Sequence, residues 1–366
     1  MSAPERVAAT VLAVGAAGSA WVLGGYPLAL SALRARPWRS DHAHLPSVSL
    51  LVPAFREREA LRHKLEALGE LDYPRERLEV IVLADEDREL ERVAREARPD
   101  ALVLFEPERG GKAASLNRGL ARAGGEIVVM TDANNVLTPG SVRAAVRHFA
   151  DPAVWAVAGR RGETGSAYDR YEDLLRRLET RSGSVAAMSG EFMAARRERM
   201  PAFPAGIVND DFWLLSQLVS AGGRVVYEPL AASEEPAVEL RGEVARRSRM
   251  GAGRVAALRD LRSLPPGFAW RAVSHKHGRL ALPFLLLAML GGSAVLRRRR
   301  PFGAVLGAQL AFYATGAAAA AGVAPAGASG RAVRAAGQFT IGNVAVAIGV
   351  VRALRGRQDV RWEPVR

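Results

Sequence analysis

Cysteine is absent from the 366 residues. That excludes disulfides and thiolate metal sites and leaves the redox compartment unreadable. Lysine is nearly absent: Lys64, Lys112 and Lys276 are the only three, so almost all of the positive charge is arginine. Acidic residues are too few to balance it, and the net charge is +13. No helix-turn-helix, zinc finger or aromatic-interleaved basic stripe accompanies that charge, which argues against nucleic acid as a partner. A GC-rich coding bias towards Arg and Ala explains the excess as readily as any ligand. An anionic membrane surface or a phosphorylated substrate is the partner class that remains. There is no internal repeat, and the chain is long enough for one sizeable domain with accessory parts.

Charged side chains are also missing from whole stretches. None occurs from Val7 to Leu33, and a bilayer core needs about 20 apolar residues. The start, Pro4-Glu5-Arg6, lacks the basic opening of a cleaved leader. Arg34, Arg36 and Arg39 follow the stretch, which places its C-terminal side in the cytoplasm by the positive-inside rule. Three further candidate spans are Leu280–Leu296, Phe302–Val323 and about 335–354. Arg297–Arg300 lies between the first two. If 280–296 crosses, those arginines land outside, against the usual bias. Either that segment is interfacial or re-entrant, or the rule is broken here.

Between the apolar ends the sequence alternates. Ser47–Pro53 reads as a short buried strand ended by Pro, followed by a helix with Leu61, Leu65 and Leu68 on one face. A strand over 78–84, a charged helix over 86–97, a strand over 101–105, a helix over 112–123 and a strand over 127–131 come next. This β-α-β-α order predicts an α/β fold with a mostly parallel sheet and helices on both faces. The expected division is a 1–40 membrane anchor, a 41–262 catalytic domain and a 263–366 membrane region with two or three spans.

Carboxylates fall at strand ends, where open α/β sheets bind ligands. Asp85 closes the second strand; alone it reads equally well as a helix N-cap. Gly110-Gly111-Lys112 lets the backbone approach an anion and adds a cation at a helix start. It is not a Walker A loop, because the first glycine at the required distance is missing. Asp132 with Asn134 two residues on offers two oxygen donors for Mg²⁺ or Mn²⁺, or else a simple Asx turn. Asp210 and Asp211 open an apolar helix. Two adjacent carboxylates repel, so only one of them serves as a cap and the other is free to act as a general base. His63 and His148 read as surface residues in helices. Ser274-His275-Lys276, just ahead of the 280–296 stretch, reads evenly as an interfacial cation or a functional segment.

Taken in order, Val52-Pro53-Ala54, Asp85, Gly111-Lys112-Ala113 with Leu116-Asn117, Asp132-Ala133-Asn134 and Asp210-Asp211 resemble the processive-type family 2 glycosyltransferases. The resemblance covers about residues 45–260. It implies a GT-A fold and inverting, metal-dependent transfer from a nucleotide sugar. It would place Pro53, Ala54 and Glu57 in the nucleotide loop, Asp85 at the base or ribose, and Lys112 beside the nucleotide. Asp132 would be the first acid of the metal motif, Gly190 and Glu191 would lie on the acceptor side, and Asp211 would be the general base with Asp210 in the Glu position. The chain departs from the family pattern at two motifs. Asn134 replaces the second metal-motif acid. Arg246-Arg247-Ser248-Arg249-Met250 keeps Arg249 for the diphosphate but lacks the family's Gln and Trp, which favours transfer of one or a few sugars.

The reading that results is a multi-pass plasma-membrane glycosyltransferase with its catalytic domain in the cytoplasm. Its partners would be a nucleotide-sugar donor, a lipid-linked or glycan acceptor and membrane lipid, with no nucleic acid; its oligomeric state is open. The rival readings are a polyprenyl-phosphate sugar transferase, a nucleotidyltransferase on a similar sheet, and a non-catalytic component of a polysaccharide export complex.

Overall fold

The computed structural model describes residues 1–162, 167–207, 209–234, 248, 250–251, 254–255, 257–323, 325 and 327–355. Their centre is one eight-stranded sheet in the order β3-β2-β1-β4-β7-β6-β8-β5. The strands are β1 (Val48–Ala54), β2 (Leu78–Asp85), β3 (Leu102–Glu106), β4 (Ile127–Met130), β5 (Val136–Leu137), β6 (Val154–Gly162), β7 (Met193–Arg196) and β8 (Arg224–Glu234). The helices among them are α3 (Arg58–Ala67), α4 (Arg88–Ala97), α5 (Gly111–Arg122), α6 (Ser141–Val146), α7 (Ala167–Ser182) and α8 (Asp210–Ser220); α1 (Ala3–Ala20) and α2 (Tyr26–Ala32) precede them.

The alternating side chains explain the layers. Leu50, Val52, Val80, Val82 and Val129 face a core closed by Leu61 and Leu65 of α3, Leu90 of α4 and Val142 of α6. Leu51, Ile81, Leu83, Val128 and Met130 face the other way, onto Leu116 of α5 and Leu214, Leu215 and Leu218 of α8. Strands covered on both faces read as continuous apolar runs, as β1, β2 and β4 do.

The sheet is more mixed than the sequence predicts. β1 runs parallel to β2 and β4, β2 to β3, and β6 to β8. β7 is antiparallel to both β4 and β6, and β5 is antiparallel to β8. The reversal comes from β7, a short strand whose Ala194 and Ala195 carry little β-signal and whose partners are fixed only by long-range pairing. A second correction concerns His148, which is buried. Trp38 donates to its Nδ1 at 2.9 Å, and its Nε2 lies 2.7 Å from Glu228 Oε2. His63 is exposed, as expected.

Four helices among the described residues are long and apolar enough to cross a membrane: Ala3–Ala32, Pro266–Val295, Phe302–Ala320 and Ser329–Leu354. The second begins earlier than the sequence reading had it, so Ser274, His275 and Lys276 lie inside this helix, in a π-turn over Val273–His277. The first two helices pack antiparallel through small residues. A Cβ on Gly15 would lie 2.6 Å from Leu285 O, and one on Gly292 would lie 2.7 Å from Leu12 Cβ. Such contacts are how membrane helices approach closely. Glu5 and Arg299 pair at 2.8 Å at the shared far end, which offsets part of the Arg297–Arg300 charge.

The helices join the sheet at Glu179 of α7, which is fully buried. Tyr26 donates to its carboxylate at 2.6 Å, Ala186 N–H donates at 2.9 Å, and His275 Nδ1 lies 2.8 Å away. Burial raises the pKa of this carboxyl, but His275, Tyr26 and the Ala186 amide outweigh it and hold the group below the usual glutamate range.

Candidate active site

The parallel register brings three strand ends to one edge. Pro53 and Ala54 pair with Leu83 and Ala84, while Leu51 pairs with Met130. Asp85, the last residue of β2, and Asp132, two residues beyond β4, therefore flank the end of β1. This is the edge where ligands meet open α/β sheets. Arg56 (φ 58°) and Glu86 (φ 64°) adopt the left-handed region directly after Phe55 and Asp85. Non-glycine residues rarely do so, and such positions cluster at functional sites. The two side chains pair with each other at 3.3 Å.

Pro53, Ala54 and Phe55 form one wall of a pocket, and Asp85, Lys112, Ser115 and Asp132 form the rest. Asp85 is 5% exposed and does not cap α4, the helix that follows it. Its Oδ1 accepts the Gly110 N–H at 3.0 Å and its Oδ2 the Gly111 N–H at 2.9 Å. That clamps the Gly-Gly turn, where Gly111 needs φ 77°. Asp87 supplies the cap of α4 instead, accepting from Glu89 N–H at 3.1 Å.

Lys112, at the start of α5, links the two acidic motifs. Its Nζ lies 2.9 Å from Asp132 Oδ1 and 3.0 Å from Asp210 Oδ2. Burial works against this ammonium, but Asp132 and Asp210 overcome it and raise its pKa above the usual lysine range. Asp210 is pushed up by burial; Lys112 opposes that, while Asp211 and Asp132 add to it. Asp211 turns the other way. Its Oδ1 accepts the Phe212 N–H at 2.6 Å and faces Lys276 Nζ at 3.8 Å.

Gly190 sits against this pair: a Cβ there would lie 3.2 Å from Lys112 Nζ and 3.7 Å from Asp132 Oδ2. Glu191 is used differently. Its backbone carbonyl accepts from Thr131 Oγ1 at 2.8 Å, and its carboxylate lies 3.3 Å from Arg161 Nε. Asn134 is half-buried in the turn after Asp132. Glu57 is at the N-cap position of α3 and is not among the pocket-lining residues. Arg249 lies outside the described residues.

Three participants went unmarked in the sequence. Phe55 and Ser115 line the pocket. Lys64 lies behind it, fully buried, donating at 2.7 Å to both Thr131 Oγ1 and Asn135 Oδ1. The signal for Lys64 was present: it shares the face of Leu61, Leu65 and Leu68 at helical spacing.

The sequence pattern described as glycosyltransferase like family 2 matches residues 46–253, more than half of the chain. The chain belongs to glycosyltransferase family 2. The motif order had pointed there, and the matched segment contains every strand of the sheet. The chain is 33% identical over 105 residues to the probable glycosyltransferase YdaM of Bacillus subtilis, covering 27% of this chain and 25% of that protein. It is 24% identical over 204 residues to the poly-beta-1,6-N-acetyl-D-glucosamine synthase of Staphylococcus aureus, covering 51% and 49%. It thus spans half or less of the length of these curated relatives. The mannosyltransferase PcManGT from Pyrobaculum calidifontis, solved in complex with GDP-Man and Mn²⁺, matches with a TM-score of 0.76 at 27% identity. That match covers 97% of this chain and 99% of the other, so it takes in the membrane-length helices as well as the sheet. The expected GT-A-like domain flanked by such helices is the fold observed.

Proposed function

We propose that this chain transfers a sugar from a nucleotide sugar, with inversion, to a hydroxyl of a lipid-linked or glycan acceptor at the cytoplasmic face of the plasma membrane. The observation that carries the reading is the Lys112 bridge, which gathers the strand-end Asp132 and the helix-start Asp210 at one pocket mouth. The donor's base and ribose would lie along Pro53–Phe55 and the turn clamped by Asp85. Its diphosphate would meet Lys112, with Arg249 as a second cation. The PcManGT complex with GDP-Man supports a nucleotide-sugar donor of this kind.

A divalent cation belongs to this proposal. Among the described residues no group of three His, Cys, Asp or Glu could hold a metal. Asp132 and Asn134 nevertheless present two hard oxygen donors on one turn, and Gly190 leaves Asp132 Oδ2 uncovered. That donor set fits Mg²⁺ or Mn²⁺ bound by one or two protein oxygens and completed by substrate phosphates. When bound, such an ion would neutralise charge on the leaving diphosphate. The Mn²⁺ in PcManGT supports the assignment.

The remaining chemistry belongs to the chain. Asp211 takes the proton of the acceptor hydroxyl while that oxygen forms its bond to the anomeric carbon. The bond from that carbon to the diphosphate oxygen breaks, and the nucleoside diphosphate leaves with its electron pair. Lys112 neutralises the carboxylates beside it, so an anionic donor can approach. The altered Arg246–Met250 motif favours addition of one or a few sugars over long polymers. Membranes containing the protein, given radiolabelled nucleotide sugars with and without Mn²⁺, test the reading. Label passing to a lipid or glycan fraction is the expected result. Asp211→Asn should cut transfer by on the order of 100-fold or more. Full activity in that variant would instead favour a phosphate acceptor, which needs no strong base.

A further inference from the structure

Lys276 is a charged residue beside the site that the reaction above leaves unused. It is 5% exposed, yet it arrives on a membrane-length helix, inside the π-turn Val273–His277. π-turns within helices are rare and recur at functional sites. Here the turn brings Ser274, His275, Lys276 and His277 all into buried positions. Trp21 donates to Ser274 Oγ at 3.2 Å, and His275 joins Glu179, so the turn is fixed on both sides of the lysine. The Lys276 ammonium lies 4.4 Å above the Phe212 ring and 3.8 Å from Asp211 Oδ1. It makes no direct hydrogen bond among the described residues.

A buried cation needs a charged partner, and its absence is costly. The closest carboxylate to Lys276 is the one assigned as general base. Asp210, next in sequence, is claimed by Lys112. The adjacent carboxylates are therefore held apart by two lysines, one from α5 and one from a membrane-length helix. Phe212 contributes to both restraints, through its N–H on Asp211 and its ring beneath Lys276.

We propose that Lys276 is a positioning residue for the general base, so that the active site is completed by a membrane-length helix. The ammonium holds the Asp211 carboxylate aimed away from the donor-side pair of Lys112 and Asp132. The gap of 3.8 Å leaves that carboxylate able to accept a further hydrogen bond from an acceptor hydroxyl. The inference rests on the assignment of Asp211 as base.

The test uses the full chain in membranes, with the nucleotide sugar that is turned over in the radiolabel screen. Lys276→Met should lower kcat by about 10- to 100-fold, the usual effect of removing an outer partner of a working group. The donor KM should stay within about twofold, since a group acting only on the base leaves donor binding intact. Lys276→Arg should recover part of the loss, and Lys276→Met should add nothing in an Asp211→Asn background. A kcat unchanged in Lys276→Met overturns the inference while leaving the base assignment standing. Full activity in Asp211→Asn overturns the base assignment itself. If no donor is turned over, the three lysines allow a second measurement. In protein labelled with [¹³Cε]lysine, assigned with single Lys→Arg variants, Asp211→Asn should shift the Lys276 resonance and leave Lys64 in place. An unmoved Lys276 resonance overturns the inference.

Discussion

Lys64 shows how much is invested behind the pocket. It has no solvent contact, and its two hydrogen bonds hold the turn that presents Asp132 and Asn134. Burial pulls its pKa down to about 7, with Asp132 pulling the other way. The folded state therefore gives up this proton near pH 7, while the unfolded chain keeps it towards the ordinary value of 10.5. Between those values the unfolded state binds more protons, so stability rises with pH; below about 7 the group contributes no slope. Denaturant unfolding of the purified protein, compared with Lys64→Met, checks the sign. The wild-type-minus-variant stability should climb from pH 7 to 9, and a flat or falling difference would contradict a buried, easily discharged lysine. Residue chemistry of this kind was half legible. The helical face announced that Lys64 is buried, but its partners lie 67 and 71 residues away and carry no local sign. His148 was misread for the same reason, since Glu228 is 80 residues distant.

At the scale of elements, the junction of β1 and β4 depends on a glycine. A Cβ on Gly125 would lie 2.5 Å from Ser49 N and 2.7 Å from Val48 C. Those are backbone atoms of the central strand and cannot step aside. Gly125→Ala should therefore cost about 1–3 kcal/mol, as overpacking does. A thermal melt lowered by several degrees would show it, and an unchanged melt would mean that the strands can part there. The central strands were legible because both faces are covered and their residues run apolar without a break. β5 and β7 were not. Each is too short for periodicity to register, and pairing with β8, β4 and β6 decides them. The site followed the same division. The strand-end residues Asp85 and Asp132 could be placed from sequence, because topology puts strand ends together. The bridge from Lys112 to Asp210 could not, because it joins residues 98 positions apart by number.

For the whole molecule the antiparallel pairing of Ala3–Ala32 with Pro266–Val295 fixes an orientation. Residues near Val22 and Gly278 lie towards the sheet, while Glu5 and Arg299 share the opposite end. If both helices cross the bilayer, residue 2 lies on the far side from the sheet. A chain without cysteine makes this easy to test. Ser2→Cys should react with a membrane-impermeant maleimide on intact cells, and Asp100→Cys, on the exposed side of the catalytic domain, only after lysis. The reverse pattern would invert the membrane arrangement proposed above.

The junction at Glu179 also bears on how the molecule is made. Its phenol partner is synthesised 153 residues before it, and its imidazole partner 96 residues after it. While the chain is still on the ribosome, Glu179 can acquire Tyr26 early, but it must wait for His275. The lysine facing Asp211 arrives with the very next codon. The pocket lined by Asp85, Lys112 and Asp132 can therefore assemble well before the wall beside Asp211, and the newborn chain acquires that wall only as its second long apolar helix emerges.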